Sequence, residues 1–125
     1  MFDHVKFGVT DYAASKAFYV KALAPLGISI VSEGTPSFGM EMSNGQSEAS
    51  LCLYKTEENP VPLHIAFAAA TREQVDDFYR AAVEAGGKDN GPPGIRPRYG
   101  DSYYAAFVID PDGHNIEAVC HKREP

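Results

Sequence analysis

The chain has 125 residues, 44% of them hydrophobic, and a formal net charge of −6. That length suits one compact domain with a modest core, and the ordinary charged fraction argues against disorder. The acidic balance, with no basic cluster to offset it, argues against nucleic acid as the main partner.

Two cysteines, Cys52 and Cys120, are too few for a disulfide scaffold. The opening MFDHVKFGVTD lacks the charged and apolar regions of a signal peptide. No apolar run approaches the roughly 20 residues that span a bilayer. The expectation is a cytoplasmic protein with no membrane partner.

In chain order, the first element is an alternating strand. Val5, Phe7 and Val9 share one face, and His4, Lys6 and Gly8 share the other. A helix should begin near Asp11, bury Phe18, Tyr19, Ala22 and Leu23, and stop around Pro25 and Gly27. Three strands follow, near 28–32, 38–43 and 50–55. Phe38, Met40 and Met42 share one strand face and read as core.

From His64 the pattern starts again. An offset of 60 residues carries His4 onto His64, Phe7 onto Phe67, Phe18-Tyr19 onto Phe78-Tyr79, Ala22 onto Ala82 and Gly27 onto Gly87. A repeat at one fixed shift defines the architecture. In the second copy, Ile65 and Phe67 oppose His64, Ala66 and Ala68 on a strand. Thr71 and Gln74 form a capping box, and Val75, Phe78, Tyr79, Ala82 and Val83 make one helical face. Gly86-Gly87 ends that helix. Strands near 87–90, 103–109 and 115–121 complete the copy. The last two are joined by Asp110-Pro111-Asp112-Gly113, a turn with Pro and Gly where turns favour them.

The reading is an α+β fold of two tandem βαβββ modules, 1–57 and 62–123, in a single domain. Their curved mixed sheets would enclose a cleft, and in each copy the histidine faces away from the bulky apolar residues. A lone histidine on such a face is ordinarily a polar lining residue. Two at equivalent positions of a repeat are different, because imidazoles gathered with a carboxylate make a metal site. Glu117 is the one acid in an otherwise apolar strand, which makes it the best carboxylate.

The order His4-Val5, Phe18-Tyr19, Gly27, then His64-Ile65-Ala66-Phe67, then Asp110 through Glu117 resembles the glyoxalase/bleomycin-resistance/dioxygenase type from end to end. This is the vicinal oxygen chelate superfamily. The resemblance implies a divalent metal held by His4, His64 and Glu117, with Zn, Ni, Mn and Fe(II) all open. It also implies a small-molecule substrate bound through adjacent oxygens, and a homodimer. In glyoxalase I a fourth ligand, normally Glu, comes from the last strand of the first half. By the repeat, Cys52 stands there. Three readings are open: a small residue lining the cleft, a thiolate ligand, or a three-ligand site with open positions.

The activity implied is a glyoxalase-I-like lyase or isomerase, with Glu117 a candidate for the catalytic role as well as a ligand and the general base otherwise unassigned. The alternatives are an extradiol-type dioxygenase or a thiol transferase. From another class comes a ligand-sequestering protein of the bleomycin-resistance kind. The Gly- and Pro-rich segment 89–102 reads equally as a lid or a plain loop. From it Arg96, Arg98 and Tyr99 are candidates to bind an anionic or polyoxygenated substrate. Tyr103 and Tyr104 must point to opposite faces, and Tyr104 is taken as the substrate-binding one. His121 shares a strand face with Glu117 but lies far along it, and His114 is expected to be exposed at its turn. The sequence leaves open whether the cleft forms within one chain or between two.

Overall fold

The computed structural model describes residues 2–46, 49–59 and 61–123. In the first module β1 spans His4–Val9, α1 Tyr12–Leu23, β2 Ser29–Glu33, β3 Met40–Ser43 and β4 Ser50–Lys55. In the second, β5 spans His64–Ala68, α2 Arg72–Glu84, β6 Lys88–Asp89, β7 Gly94–Ile95, β8 Tyr104–Ile109 and β9 Asn115–Cys120. No helix is long and apolar enough to cross a membrane among the described residues.

Local chemistry accounts for the element ends. The Asp11 carboxylate accepts from Ala14 N at the start of α1, and Thr71 Oγ accepts from Gln74 N at the start of α2. Gln74 reaches back to Ala70 N, completing the box. After α1, a 3-10 turn over Ala24–Leu26 ends at Gly27, whose φ of 77° is glycine's region.

The repeat is real in three dimensions. One sheet runs β1-β4-β3-β2, and the other runs β5-β9-β8-β6 with β7 also on β8. In each, the first strand pairs in parallel with the last. Lys6 lies opposite Cys52, and Ala66 lies opposite Glu117. Cys52 and Glu117 are therefore the same position of the two copies.

The helices pack against each other, and α2 also covers β8 and β9. One continuous core joins both modules, with Phe7, Phe18, Tyr19, Met42, Leu53, Phe78, Val108 and Ile116 all buried in it. The turn 110–113 is the seam. Tyr19 Oη donates to Asp110 Oδ2 at 2.5 Å, and Thr10 donates to Asp112 through both its backbone N and its hydroxyl.

Two expectations change. His114 is fully buried, not exposed: Phe7 packs edge-on at 5.1 Å and Leu63 N donates to its Nδ1. Phe38 is 70% exposed rather than core, because β3 begins only at Met40. The chain from Gly34 to Gly39 instead closes on itself through Gly34 N to Gly39 O and Gly39 N to Thr35 O. Within 89–102 the segment is partly ordered by β7 and a 3-10 turn at Pro97–Tyr99.

Candidate metal centre

Strand alternation puts His64 on the sheet face opposite the core, and the β5–β9 register brings Glu117 beside it. His64 Nε2 lies 2.9 Å from Glu117 Oε1. The other ring nitrogen, Nδ1, is 2.9 Å from the Asn115 carbonyl oxygen. A carbonyl only accepts, so Nδ1 carries a proton and Nε2 is the nitrogen that meets the carboxylate. The imidazole is half exposed, whereas Glu117 is only 2% exposed.

The carboxylate is fixed on its other side too. Tyr103 Oη donates to Glu117 Oε2 at 2.5 Å. Burial first, and then the hydrogen bond and charge of Glu117, push the Tyr103 hydroxyl up to about 12. Glu117 thus sits between a phenol that stays protonated and an imidazole nitrogen.

These groups open on a cavity of about 500 Å³ whose lining includes Asn90, Arg96, Arg98, Tyr99 and Phe107. Phe107 stacks on His64, with ring centroids 6.3 Å apart. The Arg96 guanidinium lies over Phe107 and donates to the Gly94 and Pro92 carbonyls. Arg98 lies over the Tyr99 ring. Among the described residues neither arginine has a carboxylate partner, so both positive charges are available to an anion.

Three side chains named from the sequence fall elsewhere. Tyr104 is on the core face of β8, with its hydroxyl on Asp76 of α2 and its ring under Arg72. Tyr103 takes its place in the cavity. Alternation excludes having both there, and the register would have told them apart: Phe107 pairs with Glu117, and 103 shares its parity. His4 is exposed and pairs with Asp3 at 2.6 Å. Cys52 is half-buried, with Sγ 4.0 Å from Ser50 Oγ. Neither His4 nor Cys52 lines the His64–Glu117 cavity. Among the described residues, no three His, Cys, Asp or Glu side chains converge within the chain.

The donor set present fits a divalent cation. An imidazole oriented by a backbone carbonyl, beside a carboxylate oriented by a phenol, is how ligands are commonly held for Zn, Ni, Mn or Fe(II). The pair offers two ligands, and the site needs more.

The model of the Glyoxalase/Bleomycin resistance protein/Dioxygenase superfamily matches residues 1–118. The chain belongs to that superfamily. Its fold is similar to a glyoxalase/bleomycin resistance protein from Albidiferax ferrireducens T118, at 30% identity and TM-score 0.79, covering 95% of this chain and 98% of that one. A putative glyoxalase from Bacillus halodurans is 25% identical with TM-score 0.73, covering 96% and 95%. The oxidase ChaP-H2 shares the fold at 21% identity and TM-score 0.69, covering 100% and 94%. No curated protein matches the chain.

Proposed function

We propose that the protein is a divalent-metal-dependent enzyme of the glyoxalase I type. It would act as a lyase or isomerase on a small, anionic, vicinally oxygenated substrate. The observation that carries this reading is the approach of His64 Nε2 and Glu117 Oε1 to 2.9 Å, with the imidazole oriented by the Asn115 carbonyl and the carboxylate by the Tyr103 hydroxyl.

The third ligand is His4, supplied by a second copy of the chain. Among the described residues β1 pairs only with β4, and β5 only with β9, so each module presents an unpaired edge beside its histidine. Val5 is exposed on one edge, and an apolar groove of about 300 Å³ lined by Phe2, Val5, Ile65 and Phe67 lies by both. A two-fold arrangement would set β1 of one copy beside β5 of the other and bring His4 to the His64–Glu117 pair.

A cation held there would act as a Lewis acid on adjacent substrate oxygens. The chain supplies the rest. Tyr103 holds the Glu117 carboxylate in orientation. Phe107 gives an apolar wall, and Arg96 and Arg98 offer charge to the substrate's anionic end.

The test is the metal content of the purified protein beside His64→Ala and Glu117→Ala variants, with the molecular mass in solution. About one divalent metal per chain in a dimer, lost in both variants, is the expected result. A protein that takes up no metal on reconstitution overturns the reading and favours a sequestering cleft.

A further inference from the structure

The reading above leaves the proton-transferring group unassigned, because Cys52 stands where the second carboxylate would be. The first sheet supplies a replacement one strand away. In the β3–β4 ladder Glu41 lies directly opposite Cys52, and in the β1–β4 ladder Lys6 lies opposite Cys52 on the other side. Directly paired residues share a face, about 5 Å apart at Cβ. Glu41 is therefore on the same face as His4 and Cys52, and Met40 and Met42 on either side of it are buried in the core.

Two further facts single it out. Glu41 is half-buried, yet among the described residues its carboxylate has no hydrogen-bond or ion-pair partner. The nearby cation does not claim it, since Lys6 Nζ lies over the Tyr54 ring, 5.2 Å from the centroid. The same position of the second module is Phe107, opposite Glu117. The two copies thus carry their acid on different strands: the second on its last strand, the first on the strand beside it.

We infer that Glu41 is the general base of the site, reaching over the short Cys52 side chain from the half that carries His4. This rests on the composite metal site proposed above. In an isomerisation of a 2-hydroxycarbonyl compound, the C–H bond next to the carbonyl breaks. Its proton goes to the Glu41 carboxylate, and its electron pair moves onto the carbonyl oxygen to give an enediolate. Glu41 then returns the proton to the former carbonyl carbon, while the hydroxyl proton passes to the former carbonyl oxygen, so that hydroxyl and carbonyl exchange places. The formula is unchanged and no co-reactant is needed. Cys52 keeps the space above the sheet open for that reach, which explains a small side chain there.

The test is a proton inventory rather than turnover. Acetohydroxamic acid is a neutral chelator with adjacent oxygens that gives up a proton when it binds a metal as hydroxamate. Its binding to the metal-loaded protein is followed by calorimetry near neutral pH in two buffers of different ionisation enthalpy. The native protein should keep the proton, whereas Glu41→Gln should release about one proton more per chelator bound, with unchanged metal content. The double variant Glu41→Gln/Cys52→Glu should regain the uptake. Equal proton release by native and Glu41→Gln proteins overturns the assignment while leaving the metal site standing. Failure of the native protein to bind metal or chelator overturns both.

Discussion

The hydroxyl of Tyr19, in the helix of the first module, donates at 2.5 Å to Oδ2 of Asp110, in the turn of the second. Both residues are buried, and Oδ1 of the same carboxylate accepts from Asp112 N and His114 N. One carboxylate thus orders its own turn and ties it to the other half. Tyr19→Phe should leave Oδ2 buried without a donor and cost about 1–3 kcal/mol. Urea denaturation should show a lower midpoint with an unchanged slope, and the metal content should stay native.

Three phenols predict how the protein responds to alkali. Tyr12 and Tyr103 are each pushed up to about 12, and Tyr19 is raised further, in every case by burial first and a neighbouring carboxylate next. The unfolded chain loses these protons near pH 10. The folded form binds more protons than the unfolded form between about 10 and 12, so stability is full below pH 10 and falls as pH rises through that window. Denaturation midpoints at pH 8, 10 and 11 should be flat and then decline. Tyr103→Phe should flatten part of the decline.

A site shared between copies makes a prediction that a site within one chain does not. His4→Ala and His64→Ala should each fail to hold metal tightly. Mixing them and allowing subunits to exchange should restore tight binding in about a quarter of sites, because half of the dimers are mixed and each has one intact site. No recovery on mixing would show that the ligands come from a single chain.

Gly39 tests the loop that delays β3. Its φ is 97°, and a Cβ there would sit 2.1 Å from the Leu53 carbonyl oxygen. Gly39→Ala should cost about 2–4 kcal/mol in thermal or urea unfolding. Gly45→Ala is the control: its φ is 73°, but nothing lies within 4 Å, so about 1 kcal/mol is expected.

The fold was legible because the repeat, the capping box at Thr71 and the turn at 110–113 are all local patterns. The site was legible only as far as its own strands reach. His64 and Glu117 meet because their strands are paired, and alternation gave their common face. What the sequence did not disclose depends on distant partners. His114 is buried by Phe7, and no pattern around residue 114 signals that. The Tyr103–Tyr104 ambiguity needed the hairpin register counted back from Glu117. Glu41 alternates with two core methionines, and that signal was present, but its neighbour across the sheet became visible only once β3 and β4 were aligned. His4 does not line the His64–Glu117 cavity, and how the two modules pack on each other is not something that periodicity encodes.

The pairing of first strand with last in each module has a consequence for how the chain folds. β1 cannot be hydrogen-bonded into its sheet until residues 50–55 are available, and β5 must wait for residues 115–120. During synthesis the first module has its complete set of strands once Lys55 has emerged. The second lacks its central strand until residues 115–120 follow, and β5, with Ile65 and Phe67, waits for it. β9 separates β5 from β8 in the sheet order, as β4 separates β1 from β3, so neither sheet can close its ladder without its last strand. Exposed apolar strands awaiting a distant partner are where nascent chains associate wrongly, so in each half the interval between first and last strand is when the growing chain is most open to aggregation.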